Sequence, residues 1–410
     1  MFMRNQSPAA GFILVTLFID VLGIGLIIPV LPNLVTSFEG GSVSAAAGTL
    51  GLLLGLYAAM QFLFAPVLGS LSDRFGRRPV LLASLLGAGL DYVLLAWAPT
   101  LAWFFVGRVV AGITGASFST ASAYLADVTP PEERAHSFGL IGAAFGVGFI
   151  AGPALGGLLG HLGLRVPFMV AAGLALLNWL YGLMILPESL PREQRRAFNW
   201  GRANPAGSLL ALRKYPVVLG LTGTVFLFNL AHNAIYGTWV LYMGYRYQWT
   251  VGQVGLSLAI IGVMGAIVQG GLVRVLVPKL GERKLLVAGL AVCALNFVGY
   301  GLATQGWMIY LILVLGSIGA IANPAMQALM SKHVPPNEQG ALQGSLSSLA
   351  SLAGILGPPV FTGIFGYFIG PTTPYALPGA AFFLGAVLIL MGLGLALWNF
   401  RKTDLGIPDP

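Results

Sequence analysis

Apolar stretches follow one another along almost the whole chain, separated by short polar breaks. They fall near 10–36, 47–71, 79–98, 100–127, 135–160, 166–186, 216–245, 251–276, 284–303, 306–331, 339–369 and 377–400. A run of about 20 apolar residues crosses the hydrocarbon core of a bilayer as one helix. The pattern therefore predicts an all-α membrane protein with twelve transmembrane helices, six in each half. The first stretch is too long for a removable signal peptide, contains Asp20, and has eleven successors, so it reads as a span. The longest polar break, about 187–214, runs PESLPREQRRAFNWGRANP through most of its length. Its prolines and scattered arginines read as a linker, which divides the chain into 1–190, a linker 191–213 and 214–410.

The two halves repeat one another at a spacing of 205 residues without a gap. Gly76 falls on Gly281, Pro130 and Pro131 on Pro335 and Pro336, Glu133 on Glu338, Gly139 on Gly344, and Gly152-Pro153 on Gly357-Pro358. A hydrophobic chain halved in this way implies two pseudo-symmetric six-helix bundles, which is a transporter's plan. The landmarks that repeat are loop glycines, loop prolines and a Gly-Pro step. Several charges do not: Asp73 becomes Pro278, Asp91 becomes Asn296, and Asp127 becomes Lys332.

Composition agrees with the pattern. Charged residues are 8% of the 410, against about 25% in soluble domains, so lipid must be the main solvent. The net charge of +8 is topological. With the N-terminus inside, eighteen of the 21 Lys and Arg fall in cytoplasmic breaks, as the positive-inside rule requires. Both termini are thus expected in the cytoplasm, and nucleic acid is excluded as the partner. The lone Cys293 permits no intramolecular disulfide, and no Cys/His cluster points to a metal or cofactor. No nucleophile–base pair and no P-loop support an enzyme or an ATP-driven pump.

Charges inside the spans carry the chemistry. Asp20 lies in the middle of the first, where an aspartate costs about 2.5–3.5 kcal/mol on insertion scales. Such a residue faces a cavity or a partner and is a functional candidate by default. Burial favours the protonated form of an acid, which suits a proton carrier. Asp91 in the third span carries the same argument nearer the outer, wetter face. Arg108 in the fourth needs a carboxylate, carbonyls or water. Neutral polar residues recur at helical spacing: Asn229, His232, Asn233 and Tyr236 in the seventh span, Asn323 and Gln327 in the tenth, Tyr57 and Gln61 in the second. Together they make a candidate cargo cavity.

GSLSDRFGRRPV, Gly69 to Val80, joins the second and third spans. Its arginines alone would satisfy topology. The order of residues adds a gating reading: Asp73 sits at a helix end where it can face another helix's N-terminal dipole, Gly76 turns, and Arg77 can bridge to Asp127 at the foot of span four. Such pairs are expected to hold the two halves together and release as they rock. This loop resembles the signature of the major facilitator superfamily. GRVVAGITGAS from Gly107 resembles that superfamily's fourth-helix motif, and GFIAGPALGG from Gly148 matches the fifth-helix motif of its proton-coupled exporters. Physically, Gly142, Gly146, Gly152, Gly156 and Gly160 are expected to form a packing groove, broken by Pro153.

FIDVLGIGLIIPVLPNL, GLDY, AYLADVT, LPES, NPAMQALMS and QGSLSSLASLAGILGPPVFT are, more closely, similar to tetracycline-efflux antiporters. The resemblance implies a major facilitator fold and a proton-coupled exporter of small amphipathic drugs, working by alternating access in the cytoplasmic membrane as a monomer. It implies coupling roles for Asp20, Asp91 and Arg108. Those antiporters carry an acid in helix nine and often a histidine in helix eight, where this chain has Cys293 and Gly265. The departure leaves two rivals: a uniporter or importer of a neutral metabolite such as a sugar, and a non-transporting receptor or assembly factor on the same scaffold.

Overall fold

The computed structural model describes residues 8–115, 117–130, 133–196, 198, 216–335, 338–371 and 373–404. Among them every regular element is helical. Helix α1 (Pro8–Ile27) meets α2 (Leu31–Phe38) at a 41° bend. Pro29 and Pro32 flank the bend, and each withholds an amide from the helical ladder. Then come α3 (Val43–Phe75), α4 (Arg77–Trp97), α5 (Leu101–Thr114), α6 (Ser117–Val128), α7 (Arg134–Gly160) and α8 (Val166–Ile185). The second half holds α9 (Pro216–Tyr247), α10 (Val251–Ile267), α11 (Val273–Leu280), α12 (Glu282–Leu302), α13 (Gly306–Gly316), α14 (Ala322–Lys332), α15 (Gln339–Ile369) and α16 (Ala380–Asp404).

Among the described residues, eleven continuous or jointed helices are long and apolar enough to cross a membrane, and the bent pair α1–α2 makes up to twelve. These coincide with the twelve apolar stretches. The repeat is visible in their irregularities. The span 101–128 is interrupted beside Gly115, and its counterpart, Gly306–Lys332, changes to a 3-10 turn over Ser317–Ile321. Most of the linker 191–213 lies outside the described residues, apart from a short 3-10 turn at Arg192–Gln194.

The chain folds as two compact units, as far as their residues are described. The first comprises Met1–Phe38, Leu56–Asn204 and Val251–Ala259; the second comprises Glu39–Gly55, Pro205–Thr250 and Ile260–Pro410. Helices α3 and α10 are thus each shared between units.

In the first unit Phe12, Ile13, Leu17, Leu81, Leu85, Ala121, Tyr124, Leu125, Ile141 and Leu186 form an apolar cluster. There α1 packs backbone to backbone on α7: a Cβ on Gly25 would stand 2.8 Å from Gly152 Cα, and one on Gly156 would meet the Leu26 carbonyl. Small residues allow this approach where lipid offers no hydrophobic drive. The contact face differs from the expected groove, because Gly148 joins Gly152 and Gly156 on α1 while Gly142 and Gly146 meet nothing within 4 Å.

The second unit has an aromatic core. Tyr242, Tyr300, Phe297, Phe365 and Phe382 meet mainly edge to face, with Tyr242 and Phe382 centroids 4.8 Å apart. The buried Tyr242 hydroxyl donates to the Tyr300 carbonyl at 2.7 Å, meeting a phenol's need for a partner away from water.

Candidate functional site

Asp20 sits half-buried on α1. Ser117, the first residue of α6, donates its hydroxyl to Asp20 Oδ2 at 2.5 Å. Gly115 ends α5, and Ser117 opens the described part of α6. A carboxylate held by a hydroxyl can be ionised or protonated with its partner still bonded, since the hydroxyl both donates and accepts.

Asp91 on α4 and Arg108 on α5 are both buried, with Arg108 Nη2 2.7 Å from Asp91 Oδ2. The expectation of a wet outer site for Asp91 is corrected: its side chain is 2% exposed. The cause is Gly107, where a Cβ would sit 2.5 Å from Asp91 Oδ1, so only glycine lets α5 close over the carboxylate. Among the described residues Asp91 Oδ1 and Arg108 Nε have no hydrogen-bond partner. The Arg108 guanidinium also lies over the Tyr57 ring, 5.6 Å from its centroid, a favourable position for a cation on a π face. Gln61 Nε2 reaches the Tyr57 hydroxyl at 3.3 Å and the Gly115 carbonyl at 3.2 Å. Tyr57 lies within electrostatic reach of Asp20, Asp91 and Arg108. Four of the sequence candidates, Asp91, Arg108, Tyr57 and Gln61, are therefore joined by direct contacts in the first unit.

The α3–α4 turn holds a second system. Arg77 lies 2.6 Å from Asp73 Oδ1 and 3.2 Å from Asp127 Oδ2. It also donates to Ser72 Oγ at 2.7 Å, and Ser189 Oγ donates to Asp127 at 3.0 Å. All these residues belong to the first unit, so the described pairing braces helices within that unit. Asp73, Arg77, Asp127, Leu190, Gln194 and Arg196 line a cavity of about 580 Å³.

Sequence reasoning missed the carboxylate that completes this turn. Glu188 Oε1 accepts the Arg77 amide at 2.8 Å, and Oε2 the Arg78 amide at 3.3 Å. The first amides of a helix have no intrahelical acceptor, and its N-terminus favours negative charge. Glu188 therefore caps α4 from the far end of the first half. Gly76 makes room for it: its φ is +109°, and a Cβ there would strike the Glu188 carboxylate.

The second unit is poorer in charge. Asn229 donates to the Val225 carbonyl and Asn233 to that of Asn229, both at 2.9 Å. His232 Nδ1 lies 2.9 Å from the Phe228 carbonyl; a carbonyl only accepts, so Nδ1 carries the hydrogen and Nε2 is left to accept in the neutral ring. The ring packs on Phe228 and Phe297. Tyr236 is exposed, as are Asn323 and Gln327, which bond each other at 3.1 Å. Asn296, the counterpart of Asp91, donates to the Gly316 carbonyl at 2.7 Å. Lys332 Nζ lies 2.5 Å from Glu282 Oε1.

Comparison with known proteins places these features in context. The family model described as "Major Facilitator Superfamily" matches residues 13–358 and 275–403. The chain is 44% identical over 393 residues to the class C tetracycline resistance protein of Escherichia coli, covering 95% of this chain and 96% of that one. It is 41% identical to the class G protein of Vibrio anguillarum, covering 98% and 99%. Among solved structures, the human organic anion transporter MFSD10 is similar with a TM-score of 0.68 at 26% identity, covering 95% of this chain and all of that one.

Proposed function

Since the chain belongs to the major facilitator superfamily, we propose that it is a secondary active transporter exporting small amphipathic drugs, tetracyclines among them, in exchange for protons by alternating access. Identity of 41–44% to two tetracycline resistance proteins over nearly the full length of both partners supports the cargo class. The observation that carries the coupling is the contrast between two acids of one unit. Asp91 is locked against a permanent cation at 2.7 Å, whereas Asp20 has a hydroxyl as its hydrogen-bond partner.

In this reading Asp20 takes up and releases the proton. The Asp91–Arg108 pair supplies a fixed field beside it and orients Tyr57. The residues assigned to cargo are amides, phenols and an imidazole rather than charges: within the first unit Tyr57 and Gln61, and within the second, taken by itself, Asn229, His232, Asn233, Tyr236, Asn323 and Gln327. Such a set suits a molecule with many hydroxyl and carbonyl groups on an apolar frame. Protonation of Asp20 favours one facing state, while cargo favours the other. The Asp73–Arg77–Asp127 set, beside the α4 N-terminus that Glu188 caps, is the gating element at the foot of the first half.

The division into bundles 1–190 and 214–410 about a linker 191–213 belongs to the same proposal. So do residence in the cytoplasmic membrane, cytoplasmic ends and a monomeric working form. The positive-inside distribution supports the orientation. The test is reconstitution in proteoliposomes: tetracycline should accumulate under an imposed pH gradient and leak back when a protonophore collapses it. Uptake that only equilibrates the drug, indifferent to the pH gradient, would leave a uniporter instead.

A further inference from the structure

Below Asp20 the first unit buries a ring of hydroxyls and an amide that the coupling reading leaves unused. Thr16 on α1, Ser84 on α4, Thr120 on α6 and Asn178 on α8 are each no more than 3% exposed. Thr16 and Asn178 touch, and the four face one interior. Thr16 sits beside Ile13 and Leu17, Ser84 beside Leu81 and Leu85, and Thr120 beside Ala121 and Tyr124, all members of one apolar cluster. Asn178 is one turn from Gly182, where a Cβ would lie 2.8 Å from Phe12 and 3.0 Å from Leu82.

These groups are incompletely paired. Thr16 donates to Asn178 Oδ1 at 3.2 Å. Asn178 Nδ2, Ser84 Oγ and Thr120 Oγ1 have no partner among the described residues. Each buried orphan costs about 1–3 kcal/mol, and three bordering one apolar cluster call for a partner. A water molecule needs two to four polar neighbours, and it is small enough for a packed helix bundle.

The ring is also in line with something. Along α6, Ser117, Thr120 and Tyr124 share one buried face. The first bonds Asp20, and the last donates its hydroxyl to the Pro187 carbonyl at 2.9 Å, on a residue that is itself exposed.

From this register we infer that Thr16, Ser84, Thr120 and Asn178 hold buried water, and that this water passes protons between Asp20 and the exposed end of α8 at Pro187. The transfer balances. The Asp20 carboxyl gives its proton to the first water and is left as a carboxylate, while that water yields one of its own toward Tyr124. Each hydroxyl regains a proton as it gives one, and the last proton leaves to bulk water at the exposed Pro187. Uptake runs the same steps in reverse. The relay rests on the proposed proton-coupled export; the water site does not.

Two measurements test it. Hydroxyl radicals generated by X-ray pulses in ¹⁸O-water on the unchanged protein should label Leu17 and Leu85, although their side chains are no more than 1% exposed. An unlabelled pair overturns the water site. In proteoliposomes, Thr120→Val combined with Ser84→Ala should slow gradient-driven drug exchange about tenfold or more at unchanged drug affinity, and Thr120→Ser should keep the parent rate. Parent rate in the double variant, with Asp20→Asn inactive, overturns the relay and leaves the coupling reading standing. An active Asp20→Asn overturns the coupling reading and the relay with it, while labelling still decides the water site.

Discussion

Lys332 Nζ lies 2.5 Å from Glu282 Oε1, and each residue stands 205 positions beyond one of opposite charge, Asp127 and Arg77 respectively. Arg77 and Asp127 themselves meet at 3.2 Å. The repeat therefore keeps an ion pair between the start of one helix and the foot of another while exchanging its sign. Among the described residues, the second pair has less company. Arg77 also holds Asp73 and Ser72, and Glu188 caps the helix it begins.

That difference sets the outcome of charge exchange. Lys332 is 61% exposed, and such a pair is worth about 0–1 kcal/mol. Glu282→Lys with Lys332→Glu should restore transport to within about twofold of the parent, where either change alone lowers it. Arg77→Asp with Asp127→Arg should stay inactive, because the new carboxylate faces Asp73 beside Glu188. Drug efflux from intact cells checks both.

Glu188 and Gly76 should fail together. Glu188→Ala strips the acceptor from the first amides of α4, a loss of about 1–2 kcal/mol by analogy with helix caps. Gly76→Ala both strains a φ of +109° and displaces the same carboxylate. Thermal unfolding in detergent should show each variant destabilised and the double variant less destabilised than the sum.

For the buried pair, removing one charge should be worse than removing both. Asp91→Asn or Arg108→Gln leaves an uncompensated charge in the interior, at a cost of about 3–5 kcal/mol. The double variant should recover most of the unfolding temperature without recovering transport.

The glycines of α7 separate by contact. Gly152→Ala should reduce the yield of monodisperse protein, since its Cβ would stand 2.6 Å from Gly25 Cα. Gly146→Ala should be neutral or slightly stabilising, as its surroundings are open and alanine favours the helix by up to about 1 kcal/mol. Size-exclusion profiles decide this.

The spans and the repeat were legible because lipid imposes a length on every helix and a hydrophobic face on nearly every residue. Facing directions were not. Spacing alone selects Gly142 and Gly146 with Gly152, whereas Gly148 takes the contact, because α1 decides which side of a glycine-rich helix is approached. Burial of Asp91 was equally hidden, since it depends on Gly107 of the next helix. Glu188 stands 111 residues from the amide it caps, so only the fold relates them. The exchanged pair escaped for a simpler reason. Asp127 and Lys332 compared alone read as a lost charge, and the change at Arg77 and Glu282 is what turns loss into inversion.

Proton exchange at Asp20 is the claim on which the transport reading rests. The direct measurement is tetracycline uptake into proteoliposomes under an imposed pH gradient, parent against Asp20→Asn, with drug binding and unfolding temperature recorded for both. The expected result is gradient-driven accumulation by the parent, and none by Asp20→Asn at unchanged folding. Accumulation by Asp20→Asn at the parent rate would contradict it.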